Sequence, residues 1–329
     1  MSTKKTDHRS TIASTATTKP AFERIGLLGL GIMGSAMAGN LLKAGFEVHG
    51  FDPSAKARQH LKTVGGHPSQ DAADLVRSVQ VVITSLPHAA ALMETASILA
   101  RAGRQGLLVI ETSTLDIQDK EAAREVMAAQ GVILLDCPLS GTGAQAVRKD
   151  LTVYASGPTP QIRRLAPVFE GFSKTHFDLG AFGNGMKMKL MANLLVAIHN
   201  VSTAEALLLG QRWGIAPSTA VKVLSDGAGG SRMLQVRGPM MENEGWKEAT
   251  MKVSVWQKDM KLIAQALVDT HVPAPLFAAT IPLYNAAMGM GHEGHDTAAV
   301  FDVLERMSSL PTKTAAKKTG VKKTVSRKR

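Results

Sequence analysis

The chain has 329 residues, length enough for two domains of ordinary size, and 44% of them are apolar. Aromatic residues are only 4%, so Ala, Leu, Met and Val carry the apolar load, a composition that suits packed helices and parallel strands and excludes an aromatic-rich β-sandwich. The net charge of +11 sits at the ends: residues 312–329 hold eight Lys or Arg and no acid, residues 1–20 hold four against Asp7, and the stretch between has 26 of each sign. A generally basic, nucleic-acid-binding body is thereby excluded. Both ends lack apolar periodicity and are rich in Ser, Thr, Lys and Ala, which predicts disordered tails at 1–20 and 311–329. The basic tail is read as a solvated segment, with an electrostatic tether to nucleic acid or an anionic surface as the alternative. One cysteine, Cys137, rules out an internal disulfide and fits a reducing compartment. No run of 18 apolar residues and no apolar leader stretch occur, so the expected location is the cytoplasm, with no membrane association.

From Arg24 the pattern is strand, Gly-rich turn, helix, strand. Ile25–Gly29 reads as a short buried strand, residues 32–44 as a helix ended by Gly45, and Glu47–Asp52 as a second strand. Apolar runs at Val79–Leu86, Gly106–Ile110 and Val132–Leu135 alternate with helical stretches at 55–63, 90–101 and 116–130. Short buried strands separated by helices predict an α/β fold, a doubly wound parallel sheet. Leu151–Ser156 reads as one more strand, stopped by Gly157-Pro158. Near residue 183 the texture changes. An apolar helical stripe runs from 186 to 212, and 217–226, 233–242, 252–270, 275–290 and 296–307 also read as helices broken at Gly and Pro. The boundary is therefore placed so that 21–184 forms the α/β domain and 185–310 an all-helical one.

Gly29-Leu30-Gly31-Ile32-Met33-Gly34 matches G-x-G-x-x-G between a strand and a helix, and a second strand ends in Asp52. That order is the dinucleotide-binding fingerprint of a Rossmann-type sheet. Gly29 permits the tight turn, Gly31 lets the backbone approach a pyrophosphate, and Gly34 lets the helix pack on the strand. The uncapped helix start, with Ile32 and Met33, presents N–H groups to the phosphates. Asp52 accepts hydrogen bonds from ribose hydroxyls and repels a 2′-phosphate. The cofactor is therefore NAD or NADP, with NAD favoured, although Lys56 and Arg58 stand near enough to compensate.

Further along, Asp136-Cys137-Pro138-Leu139-Ser140-Gly141 places a hydroxyl and free backbone N–H groups in a turn, a grip suited to a carboxylate. In Gly183-Asn184-Gly185-Met186-Lys187-Met188-Lys189-Leu190-Met191-Ala192-Asn193, Lys189 and Asn193 stand four apart on one helix face. Alcohol oxidation without a metal needs a positioned base. Apolar neighbours such as Met186 and Leu190 would lower the Lys189 pKa towards that use. Lys187 faces elsewhere and reads as solvated. These segments, together with the glycine turn running on through Met37-Ala38-Gly39-Asn40-Leu41-Leu42 and with Lys258-Asp259, resemble the β-hydroxyacid dehydrogenase family over residues 24–308. The resemblance implies Lys189 as general acid/base and Asn193 as its orienting partner. It implies a substrate grip at Ser140, Gly141 and Thr142, and Lys258 near the nicotinamide. Leu86, Pro87 and Thr114 resemble the family's cofactor contacts; each is also simply a residue that ends a strand. Thr142 departs from the family pattern, which has a second glycine there. Ser231, after Gly227–Gly230, is a further candidate lining residue.

The implied activity is reversible hydride transfer between the cofactor and a small 3-hydroxy acid or its semialdehyde, of the 3-hydroxyisobutyrate dehydrogenase or 2-hydroxy-3-oxopropionate reductase type. The implied partners are a small carboxylate substrate and further copies of the chain, as a homodimer or homotetramer. An imine reductase shares the architecture, but such enzymes typically lack the lysine. A non-catalytic module that binds nucleic acid through its basic tail is the reading from another class, and an intact Lys189–Asn193 pair opposes it. Gly291-His292-Glu293-Gly294-His295-Asp296 lacks the i,i+4 histidine pair of a metal helix, so no metal is expected, and Asp296 reads as a helix cap.

Overall fold

In the computed structural model the described residues run from 22 to 308, so the tails expected at 1–20 and 311–329 lie outside them. The elements in chain order are β1 (Arg24–Leu28), α1 (Ile32–Lys43), β2 (Glu47–Phe51), α2 (Ala55–Thr63), β3 (His67–Pro68), α3 (Ala72–Ser78), β4 (Val81–Thr84), α4 (Ala89–Ala102), β5 (Leu108–Glu111), α5 (Ile117–Ala128) and β6 (Ile133–Asp136). They continue with β7 (Leu139–Ser140), α6 (Gly143–Val147), β8 (Thr152–Ala155), α7 (Thr159–Phe172) and β9 (Thr175–Asp178). Helices alone follow: α8 (Asn184–Arg212), α9 (Pro217–Asp226), α10 (Arg232–Glu242), α11 (Val253–Asp269), α12 (Pro275–Gly289) and α13 (Val300–Ser308), with two short 3-10 turns between them.

Six strands form one parallel sheet in the order β3-β2-β1-β4-β5-β6. Alternate residues of the central strands feed opposite cores. Ile25, Leu27, Ile83 and Ile110 pack with α1 and α7, whereas Leu28, Val82 and Val109 pack with α3, α4 and α5. Both faces are covered, which is why these strands read as unbroken apolar runs rather than alternating ones. The doubly wound sheet expected from sequence is present. The strand expected at Leu151–Ser156 is also present, as β8, but it belongs to a second sheet of order β7-β8-β9, antiparallel between β7 and β8 and parallel between β8 and β9.

Where the two sheets meet, a charged cluster is fully buried. Lys120 Nζ of α5 lies 2.7 Å from Glu111 Oε2 and 2.7 Å from Asp136 Oδ1, all three at 0% exposure. Burial alone would push the Lys120 pKa down, but the two carboxylates hold it above the ordinary lysine value. One ammonium against two carboxylates leaves a net negative charge, and the start of α8 lies on it. Asp136 Oδ2 accepts the Met186 N–H at 2.8 Å, and Ser156 Oγ accepts the Gly185 N–H at 2.9 Å. The positive end of the helix dipole thus faces the charge that needs it.

By length and composition α8 could cross a membrane, with a mean hydropathy of 1.3 in its most apolar window. In this fold it is the central helix of the second half, packed by α9 to α13, and it buries Lys189, Asn193 and Asn200 among them. Asn200 Nδ2 donates to Thr297 Oγ1 at 3.1 Å, and the buried pair Arg237 Nε–Asp296 Oδ1 at 3.0 Å ties α10 to the loop before α13.

Gly185 is what allows α8 to start so close to the sheets. A Cβ there would stand 2.3 Å from the Tyr154 carbonyl oxygen and 2.7 Å from that of Asp136, backbone atoms that cannot swing aside. Gly185→Ala is accordingly expected to destabilise the fold by about 1–3 kcal/mol, the range for overpacking. A urea melt checks this, and an unchanged midpoint would contradict the close approach.

Candidate active site

The glycine turn has the shape its sequence requires. Gly29 takes φ +96, and a Cβ on it would lie 2.2 Å from the Ser85 carbonyl oxygen; a Cβ on Gly34 would lie 1.9 Å from the Gly29 carbonyl oxygen. A Cβ on Gly31, by contrast, meets nothing within 4 Å. The turn is therefore packed from behind at two glycines and open in front at the third. Gly31 is the N-cap of α1 and supplies no side-chain cap, so the first helical N–H groups stay available, beside an Ile32 side chain that is 76% exposed and a half-buried Met33. An open cradle of uncapped N–H groups fits the pyrophosphate of a dinucleotide. Asp52 closes the far side: its carboxylate accepts the Leu30 N–H and the Ser54 N–H, each at 2.8 Å, and so fixes the turn. Arg58 is already engaged, donating to the Asp52 carbonyl at 2.6 Å with its guanidinium over the Phe51 ring. Lys56 is exposed.

The substrate half is brought together from distant segments. Ser140, Gly141, Thr142, Lys189 and Asn193 all line one cavity of about 460 Å³ between the small sheet and the helices. It adjoins the glycine turn, since Ile32 packs against Gly143 so closely that a Cβ there would meet Ile32 Cγ2 at 2.5 Å, and Asn40 Nδ2 of α1 donates to the Ala146 carbonyl at 2.7 Å. Asn40, part of the resembling first segment, thereby joins cofactor turn to substrate turn.

Lys189 is buried without a direct carboxylate bond. Desolvation lowers its pKa, Asp259 pulls it up, and Lys258 adds to the lowering. Burial raises the pKa of Asp259, with Lys189 acting against it. Both groups are thus pushed towards their neutral forms. Asn193 was expected to orient the lysine; its Nδ2 donates to Asp259 Oδ2 at 2.8 Å. Asp259 is the residue that sequence reasoning passed over, although it stands beside Lys258 in a pair already noted. Lys258 Nζ donates to the Thr114 carbonyl at 2.7 Å, a bond between α11 and the loop after β5. Lys187 is exposed, its ammonium 3.5 Å from Asn184 Oδ1.

Other expected residues serve otherwise. Thr142 caps α6 in a reciprocal box with Gln145: its hydroxyl accepts the Gln145 N–H, and Gln145 Oε1 accepts the Thr142 N–H at 3.0 Å. The missing second glycine has become a helix cap. Ser231 does not line the cavity; its hydroxyl accepts the Leu234 N–H at 3.0 Å as the cap of α10, and its neighbours Arg232 and Met233 line the wall instead. The Leu86 N–H donates to Ser113 Oγ at 2.8 Å, and Pro87 is exposed beside it. Among the described residues no group of three or more His, Cys, Asp or Glu is placed to hold a metal. His292 pairs with Asp302 and His295, and Asp296 caps the turn that follows it.

Residues 24–206 match the family model described as the NAD binding domain of 6-phosphogluconate dehydrogenase, and residues 183–304 match that described as NAD-binding of NADP-dependent 3-hydroxyisobutyrate dehydrogenase. The chain is 32% identical to an L-threonate dehydrogenase of Cupriavidus necator, over 85% of this chain and 95% of that one. It is similar to the solved 3-hydroxyisobutyrate dehydrogenase of Mycobacterium tuberculosis with L-serine, at a TM-score of 0.77, 27% identity, and coverage of 86% and 99%. An imine reductase from Pseudomonas sp. is 18% identical with a TM-score of 0.54, over 86% of this chain and 99% of that one, and shares the fold alone.

If Asp52 at the end of β2 meets the ribose, then with Arg58 held by backbone carbonyls NAD is expected to be preferred. Asp52→Asn should move the ratio of kcat/KM values towards NADP, because the amide keeps one backbone bond and loses the repulsive charge. Kinetics with both cofactors check this, and a wild-type chain that already favours NADP by about tenfold would overturn it.

Proposed function

The chain belongs to the β-hydroxyacid dehydrogenase family and is an NAD(P)-dependent oxidoreductase, and we propose that it transfers hydride reversibly between the cofactor and a small 3-hydroxy acid or its semialdehyde, with Lys189 as general acid/base. The observation that carries this reading is a buried lysine of lowered pKa facing the same cavity as a Ser-Gly turn, beside an open dinucleotide cradle.

The bound dinucleotide supplies the hydride acceptor or donor. The Gly29–Gly34 turn and Asp52 would hold it, and Lys258, anchored on the Thr114 carbonyl, would approach its nicotinamide. The chain's own residues do the rest. The Ser140 hydroxyl and the Gly141 N–H hold the substrate carboxylate, the Thr142 N–H being already taken by Gln145. Neutral Lys189 takes the alcohol proton at Nζ during oxidation, and in the reverse direction Lys189 in its ammonium form returns it to the carbonyl oxygen. Asn193 and Asp259 fix the lysine's surroundings through their 2.8 Å bond, and Asp259 opposes the desolvation of the ammonium. A reducing compartment such as the cytoplasm suits the single, buried Cys137.

Lys189→Ala is expected to lower kcat by about 10² to 10⁴, the span for a lost general acid or base. NAD(H) binding should hardly change, and Lys187→Ala should be mild. Near-normal turnover in Lys189→Ala, or greater damage from Lys187→Ala, would show that the base lies elsewhere.

The pH profile gives a second check. The active base for oxidation is the neutral amine, so kcat/KM for oxidation should rise with pH and level off, with a midpoint below the ordinary lysine value of 10.5. Asp259 raises the Lys189 pKa, so Asp259→Asn should move that midpoint to lower pH. A midpoint that stays put or rises would mean that Asp259 does not act on Lys189.

A further inference from the structure

The cavity extends well beyond the Ser140-Gly141 turn. In the small sheet Ser140 pairs with Thr152, and Thr152 pairs with Thr175. Residues opposite one another in a ladder face the same side, and all three hydroxyl residues line the cavity. Strands lie ~4.8 Å apart, so this row runs about 10 Å from Ser140 to Thr175. A three-carbon acid held at Ser140 leaves its outer part unused.

That outer part is cationic. Lys174 precedes Thr175, and Arg232 reaches in from the start of α10 on the opposite wall. Between them stands Asp150, whose Oδ2 accepts Arg232 Nη2 at 3.1 Å and Gln145 Nε2 at 3.2 Å, and whose Oδ1 lies 3.5 Å from Lys174 Nζ. The Gln145 bond foremost, with Lys174 and Arg232 behind it, holds the Asp150 carboxyl below its ordinary pKa. Two cations share one carboxylate, so this end keeps a net positive charge. Lys174 and Arg232 are 72% and 61% exposed, so water screens their hold on Asp150 and an entering anion can share them.

We propose that Arg232 and Lys174 form an anion subsite at the outer end of the cleft, and that the chain takes extended hydroxy acids bearing a second anionic group at the end away from Ser140. The proposal rests on the reading of Ser140-Gly141 as the carboxylate grip. The hydroxyls of Thr152 and Thr175 then serve the substrate's intervening hydroxyl groups, and Asp150 holds the two cations in place until they are engaged.

Glucarate and gluconate test this directly, because they share six carbons and the C2–C5 hydroxyls and differ only in a terminal carboxylate against a terminal alcohol. Calorimetric titration of each into the full-length chain with saturating NADH should show glucarate binding about tenfold more tightly at low salt, a preference that shrinks as salt rises. Arg232→Gln and Lys174→Gln should each cut that ratio, the double variant should bring it close to one, and Arg232→Lys should keep part of it. Asp150→Asn should tighten glucarate. Equal binding of the two acids by the wild-type chain, or a preference that survives the double variant, overturns the subsite. Binding does not depend on turnover, so the two readings fail separately. A charge-dependent preference without hydride transfer would sink the dehydrogenase mechanism and leave the subsite standing. Turnover of monoanionic acids with no glucarate preference would do the reverse.

Discussion

The molecule turns on the buried charge cluster of Lys120, Glu111 and Asp136. Two carboxylates and one ammonium at 0% exposure cannot be left as they are, because an uncompensated charge away from water is among the costliest features a fold can carry. The compensation comes from the N-terminus of α8, through the Met186 and Gly185 N–H groups received by Asp136 and Ser156. Burying the charge therefore dictates where the longest helix of the molecule begins. Lys189 lies three residues beyond Met186 on that helix, so its position follows from the same cluster. Glu111 and Asp136 close β5 and β6, and the carboxyl ends of parallel strands are where ligands bind in open sheets of this kind. The cluster thus joins the carboxyl edge of the sheet to the helix that bears Lys189.

This arrangement explains how an unpaired lysine can stay buried. Lys189 has no carboxylate in bonding contact, and desolvation keeps its pKa low. Lys120, equally buried, has two carboxylates at 2.7 Å and its pKa is held high. Both side chains are enclosed by the same protein, and the difference is in how near the countercharge lies. The two carboxylates favour the charged form of Lys120, whereas desolvation favours the neutral form of Lys189. Asp259 sits between these extremes, near enough to act on Lys189 electrostatically but with its bond directed to Asn193.

Much of this was legible in the sequence because short-range geometry dictated it. Gly29 and Gly34 have no freedom, because a Cβ on either would collide with backbone, whereas Gly31 faces open space. The i,i+4 spacing of Lys189 and Asn193 put both in the cavity for the same reason. What escaped notice was set by long-range contact or by short elements. β7 has two residues and α6 five, too few for any periodicity to show. In α7 the apolar repeat of Ile162, Leu165, Phe169 and Phe172 is interrupted by Pro167, a residue that ordinarily argues against a helix interior. Ser231 was read as cleft lining because it follows a glycine-rich run, but Ser at such a place is equally a helix cap. The cluster of Glu111, Lys120 and Asp136 did leave a trace, in acids that end two buried apolar strands, yet nothing local says they meet.

The bond from Lys258 to the Thr114 carbonyl completes the logic of a two-part site. A cleft between a sheet and a set of helices can hold cofactor and substrate at one fixed distance only if the halves are tied on more than one side. Asp136 with Met186 ties them at the floor, and Lys258 with Thr114 ties them at the loop after β5. On the outer side the link is Arg232 with Asp150, made of two side chains partly open to water. The first two ties are buried or partly buried and end on backbone atoms, which are slow to exchange partners. The third is exposed and screened by water, so the two halves are held more firmly at the floor than at the outer rim.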